Sequence, residues 1–202
     1  MARRADHSRE ELSELALAAA RDLVAAEGLP ALTARNVARA IGYSPGTLYN
    51  LFQDLDDLVM HLNGRTLDAL DAVLSQAPLT GRPEQDLGRL LELYLQFVRE
   101  NGNLWAAIFD YNAAHGRGAP DWYLAKVAKL LARLEEALMP LFDESGREEA
   151  AGAARVLWAS LHGICSLSQS DKLQVITDRS ARELAEMLVH CLIAGLQKTR
   201  AS

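Results

Sequence analysis

The sequence predicts an all-α fold of about nine helices, and three observations carry that prediction. Apolar residues recur three and four positions apart along most of the 202-residue chain. Clusters of Gly and Pro interrupt this pattern at intervals that suit helix ends. No credible alternating strand pattern or internal repeat appears. Half the residues are hydrophobic, enough to bury a real core in one or two domains. No apolar run approaches the roughly 18 residues that span a bilayer, and the first residues are polar, unlike a signal peptide. A cytoplasmic protein is therefore expected. Cys165 and Cys191 lie within apolar helical patterns. They read as small buried hydrophobes, not as a disulfide framework or metal ligands.

Residues 8–28 form the first amphipathic pattern, with Leu12, Leu15, Ala16, Ala19 and Leu23 on one side and Gly28 as a stop. Residues 33–52 then hold two short helical patterns around a turn. Thr33 suits an N-cap, and Val37, Ala38 and Ile41 give the first short helix an apolar face. Gly42 falls where a helix ends in the left-handed conformation. Ser44 and Pro45 restart the chain as N-cap and first helical residue. Leu48, Leu51 and Phe52 share the inner face of the second helix, leaving Thr47, Tyr49 and Asn50 outward. Gly46 costs a helix interior roughly 1 kcal/mol, which makes sense if the backbone there must approach another molecule closely. This layout is that of a helix-turn-helix DNA reader, although an ordinary helical corner would show the same periodicity.

Asp54 caps the next pattern, about 55–76, and Ala77 to Pro83 form a break. Further patterns run over about 84–101, 103–113, 121–142, 147–170 and 180–199. The breaks between them are Asn101-Gly102, Gly116 to Pro120, Pro140 with Ser145-Gly146, and Lys172 to Arg179.

The net charge of −6 argues against indiscriminate nucleic-acid binding. It is unevenly placed, because over residues 1–53 six Arg (3, 4, 9, 21, 35, 39) balance six acids. A neutral reader with a basic arm at Arg3, Arg4 and Arg9 would bind DNA locally and not coat it.

Thr33, Val37–Ala38, Ile41–Gly42, Ser44-Pro45-Gly46-Thr47-Leu48-Tyr49 and Phe52 together resemble the N-terminal domain of TetR/AcrR-type transcriptional regulators. Ala16, Ala20, Leu23, Glu27 and Gly28 precede them at the spacing of that family, so the resemblance covers about residues 8–60. It implies a three-helix DNA-binding domain over 1–54, a connecting helix over 55–76 and a helical effector-binding and dimerisation domain over 77–202. Carried onto this chain, the reading surface is Ser44, Pro45, Gly46, Thr47, Tyr49 and Asn50. Thr47 and Asn50 can hydrogen-bond to bases, and Pro45 or the Thr47 methyl can pack on thymine. Tyr49, Thr33 at a helix N-terminus, and Arg35 are phosphate candidates. The family usually places a Lys three residues after the Phe, but here that position is Leu55, followed by Asp56 and Asp57. Phosphate anchoring is therefore assigned to Arg3 and Arg4.

Seven of the twelve aromatic residues fall between 94 and 123. They read as an effector cavity or as ordinary core, and the resemblance favours a cavity. The expected lining is Phe97, Trp105, Phe109, Tyr111, His115, Trp122, Tyr123, Trp158 and His162. Trp158 to Gly163 is similar to a W-x-x-x-H-G signature in the C-terminal domain of one branch of the family. His162 and Cys165 are too few ligands for zinc, so no metal and no cofactor are expected. Wide apolar faces over 147–170 and 180–199 suggest a two-fold dimer through a four-helix bundle. Leu157, Leu161, Ile164, Leu184, Leu188 and Leu192 are its expected interface. Paired recognition helices would then sit about 34 Å apart on a palindrome. No phosphate loop, nucleophile elbow or metal cluster points to an enzyme. The function expected is a repressor released from a palindromic operator by a small, largely apolar effector. The alternative is an activator or structural DNA-binding protein of the same fold without an effector.

Overall fold

Ser8 opens the first helix through a reciprocal capping box. Its hydroxyl accepts from the Glu11 N–H at 3.2 Å, and the Glu11 carboxylate accepts from the Ser8 N–H at 2.7 Å. The computed structural model describes residues 7–110, 118–143 and 145–200. Helix α1 (Arg9–Glu27) buries Leu12, Ala16, Leu17, Ala20 and Val24, at the three- and four-residue spacing of one face. A single 3-10 turn, Leu29–Ala31, follows Gly28 and was not expected from the periodicity.

Helices α2 (Ala34–Ile41) and α3 (Pro45–Leu51) are the two short elements of the predicted corner, and α4 runs from Leu55 to Leu74. Then come α5 (Pro83–Glu100), α6 (Gly102–Asp110) and α7 (Asp121–Leu138). A 3-10 turn, Met139–Leu141, ends α7 sooner than the pattern suggested. The reason is Pro140, which lacks the N–H an α-helix would direct back to Glu136. Helix α8 covers Arg147–Gln169 and α10 covers Ala181–Arg200. Between them lies α9 (Leu173–Ile176), a one-turn helix inside the segment expected to be a break. Buried Leu173 anchors it. All regular elements among the described residues are helical.

The chain divides into two compact units, Met1–Thr66 with Asn101–Ala119, and Leu67–Glu100 with Pro120–Ser202. The division falls inside α4. In the first unit a continuous core joins Ala16, Ala20 and Val24 of α1 to Val37, Leu48, Phe52, Leu58 and Leu62, with Leu104 and Ala107 of α6. Small residues at 16 and 20, both with no exposed surface, let neighbouring helices come close. Two amides fix α6 there: Asn63 Nδ2 donates to the Ala107 carbonyl and Asn103 Nδ2 to the Ala25 carbonyl, each at 3.0 Å. In the second unit α5, α7, α8 and α10 pack together over Leu87, Leu90, Leu130, Leu138, Leu157 and Ile193. Its start is held by Asp86, which is buried. The carboxylate accepts from the N–H groups of Thr80 (2.9 Å), Gly81 (2.9 Å) and Arg82 (3.2 Å), and from the Thr80 hydroxyl (2.8 Å).

Candidate nucleic-acid interface and apolar cavity

The corner in the first unit is built by local chemistry. Thr33 Oγ1 accepts from the Asn36 N–H at 3.1 Å and so caps α2 as expected. Asn36 Nδ2 donates to the Ala31 carbonyl at 2.9 Å, which fixes the approach to the helix. Gly42 takes φ 77°, ψ 25°, and the Tyr43 N–H donates to the Ala38 carbonyl at 2.9 Å. That six-to-one bond with a left-handed glycine closes α2 and turns the chain into α3. Ser44 stands at the N-cap of α3 but does not cap with its side chain. Its hydroxyl pairs instead with that of Thr47 at 3.2 Å.

Leu48 and Phe52 are buried and Leu51 packs partly buried against the same core, so the other side chains of the short helix are turned outward. Ser44, Pro45, Gly46 and Asn50 are exposed, Thr47 is half-buried, and Tyr49 is 56% exposed. Thr33 and Arg35 are exposed at the start of α2. An added Cβ at Gly46 would meet nothing nearer than Ser44 Oγ at 3.8 Å, an ordinary contact. Nothing among the described residues therefore requires glycine there. Arg3 and Arg4 lie outside the described residues.

Asp57, one of the two acids that follow Leu55, is absorbed locally together with Asp54. Asp54 Oδ1 accepts from the Asp57 N–H at 2.8 Å, capping α4. The Asp57 carboxylate accepts from the Gln53 N–H at 3.0 Å and lies 3.5 Å from His61 Nε2. Both carboxylates thus stabilise the positive start of α4.

The second unit encloses a cavity of about 30 Å³. Leu70 and Leu74 of α4 line it with Leu87, Leu90, Leu91 and Tyr94 of α5. Leu130 and Leu134 of α7, Leu157, Trp158 and Leu161 of α8, and Val189 of α10 complete the wall. Of the nine residues expected to line a pocket, seven are described, and among these Trp158 lines this cavity. His162 sits one turn along α8, its ring stacked on Trp158 at a centroid distance of 6.3 Å. Phe97 is buried in α5, outside this wall. Trp105 and Phe109 face each other at 5.1 Å, and both belong to the first unit. Trp122 is 37% exposed and packs edge-on against Tyr123, whose hydroxyl pKa is raised by burial. Tyr111 and His115 lie outside the described residues.

Two of the residues assigned to a dimer surface need correction. Leu157 and Leu161 are buried within the chain and line the cavity, so they are not available to a partner. Ile164, Leu184, Leu188 and Leu192 are half-buried. Val156 (58% exposed) and Met187 (41% exposed) are the large apolar side chains that α8 and α10 do present. Cys165 is buried and its thiol is pushed up to about 11 by desolvation, which makes it inert. Cys191 is exposed, against expectation. No described helix is long and apolar enough to cross a membrane.

What the sequence reading missed is the leucine wall. Leucines at three- and four-residue spacing look the same whether they meet another leucine or a void, so periodicity carries no signal for it.

Residues 16–62 match the family described as bacterial regulatory proteins, tetR family, and residues 87–192 match the tetracyclin repressor-like C-terminal domain. No curated protein matches the chain. Among solved structures, a TetR-family transcriptional regulator from Streptomyces coelicolor is 22% identical, with a TM-score of 0.64 over 96% of this chain and 84% of that one. A TetR transcriptional regulator from Rhodococcus sp. RHA1 is 17% identical, with a TM-score of 0.63 over 92% and 97%. The fatty acid degradation regulator FadR from Bacillus halodurans is 17% identical, with a TM-score of 0.63 over 90% and 94%. At these identities the likeness is one of fold.

Proposed function

Because the chain belongs to the TetR family of DNA-binding transcriptional regulators, we propose that it is a repressor released from a palindromic operator when a small molecule occupies the cavity of its second unit. The observation that carries the first half is the exposed face of α3. Its polar side chains and Gly46 contribute nothing to the core, while Leu48 and Phe52 hold the helix from beneath. Thr47 and Asn50 read base edges; Tyr49, Arg35 and the N-terminus of α2 meet phosphate, with Arg3 and Arg4 as the basic arm. Two copies pair through α8 and α10, covering Val156 and Met187 and the outer edges of Ile164, Leu184, Leu188 and Leu192. Effector and operator are coupled reciprocally, because the effector favours a dimer whose reading heads are misplaced for DNA. Helix α4 is the lever: its Leu70 and Leu74 line the cavity, and its first turns follow the reader directly.

Gly46→Ala tests the reading surface. Gly46 is the second residue of α3, and an added Cβ there meets only an ordinary contact, so the free protein should keep its stability. Operator affinity, measured on the DNA flanking its own gene, should fall at least about tenfold as the methyl blocks close approach. Unchanged affinity would remove α3 from the DNA. A protein that binds no palindrome at low salt would sink the whole proposal.

A further inference from the structure

The cavity's chemistry narrows the effector, and this step rests on the proposed role of the cavity. Ten of its twelve lining residues are Leu or Val, and the other two are Tyr94 and Trp158. No carboxylate, ammonium, guanidinium or amide side chain lines it. An ionised head group placed inside would lose its water and meet no opposite charge, only the Tyr94 hydroxyl and the Trp158 indole N–H, so its affinity should fall by on the order of 100-fold or more. Arg133 stands on α7 between Leu130 and Leu134. Its Nη2 donates to the Ala77 carbonyl, and its Nε is buried without an acceptor. It is not part of the wall, and it is a cation that an acid could recruit.

Size is the second constraint. An apolar cavity of roughly 150 Å³ holds benzene, whereas this one is about 30 Å³. Any ligand must therefore part the leucines that close the wall. Slender, flexible molecules can do so a little at a time, and rigid bulky ones cannot. We propose that the effector is an uncharged, slender hydrocarbon-rich molecule that binds by prising this wall open, and that charged analogues of the same length are rejected. Expansion on binding is also what makes occupancy a signal, because a ligand filling a ready void would leave the lining helices where they stand.

The test uses the full chain with n-hexane, hexanoate and hexylammonium at equal free concentrations, read by thermal melting and by tryptophan fluorescence, to which Trp158 contributes with Trp105 and Trp122. Hexane should raise the melting temperature and alter the fluorescence, and longer alkanes should bind roughly fourfold tighter per methylene until the wall stops yielding. The two ions should do neither. Leu130→Phe should abolish hexane binding by filling the void, and Leu134→Phe, at a less buried position, serves if the first variant does not fold. Hexanoate binding as tightly as hexane, above all if lost in Arg133→Gln, would overturn the inference, as would hexane binding that survives both filling variants or is absent. A mobility-shift assay separates the two readings. Hexane that binds without releasing the operator would sink the effector role but leave the ligand class standing. Release by hexanoate alone would do the reverse.

Discussion

The α2–α3 corner and the cavity of the second unit solve opposite problems with opposite materials. The corner uses helices of eight and seven residues, fixed by the Thr33 cap and the left-handed Gly42, and it turns polar groups outward. The cavity uses helices of eighteen residues or more, α5, α7, α8 and α10, and closes on leucine. At the corner, Thr33 apart, the side chains that hold the fold are not those that would touch a ligand. In the cavity they are the same side chains. Function and stability should therefore separate cleanly under mutation at the corner and should not separate in the cavity.

The largest expected effect tests the inseparable half. Leu157→Ala removes a side chain that is 1% exposed and also lines the cavity. Unfolding in denaturant should show a loss of about 2–5 kcal/mol. A loss below about 1 kcal/mol would mean that the wall is loosely packed and that the comparison fails on this side.

The same contrast explains what the sequence made legible. Thr33, Gly42, Ser44 and Pro45 act on their own immediate neighbours, so the corner could be located to within a residue or two. Even so, the Ser44 hydroxyl pairs with that of Thr47 and not with a backbone N–H, a choice between two nearby partners that no pattern records. The one-turn α9 and the two 3-10 turns were missed because one turn is too short to show a period. The grouping of Trp105 and Phe109 with the first unit depends on the chain returning there after α5, held by Asn63 and Asn103. Composition pointed to aromatics as the pocket, yet ten of the twelve residues around this cavity are aliphatic.

The basic arm tests the separable half. Arg3→Ala with Arg4→Ala should weaken operator binding by roughly tenfold per lost phosphate contact near physiological salt. The slope of log affinity against log salt should flatten by about 1 for each arginine that meets a phosphate. The thermal midpoint should stay where it is. An unchanged salt slope would take the arm out of the interface and leave Arg35 and the N-terminus of α2 to anchor the backbone.

Asp86 sharpens the contrast from within the second unit, since it is a buried carboxylate in the leucine-rich half. Burial pushes its pKa up, but the Thr80 N–H and hydroxyl and the N–H groups of Gly81 and Arg82 outweigh that and hold it below the ordinary value of 3.8. The folded chain therefore takes up this proton less readily than the unfolded one. The stability it contributes is present above pH 3.8 and is lost as pH falls through the lowered folded value. Asp86→Asn should lower stability at neutral pH and shrink the difference between neutral and acid denaturation. Operator affinity at neutral pH, referred to folded protein, should not change.

The smallest effect is the most discriminating. Tyr49→Phe removes one hydroxyl from a side chain that is 56% exposed and keeps the ring. Stability should stay within about 0.5 kcal/mol, as for most exposed positions without a structural partner to lose. If the hydroxyl donates to a phosphate, operator affinity should fall by about threefold to tenfold, equally for operator and for unrelated DNA, because phosphates carry no sequence. A selective loss on the operator would move Tyr49 to the base edges and shift part of the specificity from Thr47 and Asn50 to it. A loss of stability instead would show that this exposed ring supports α3, and the separation of reading from folding at the corner would then be incomplete.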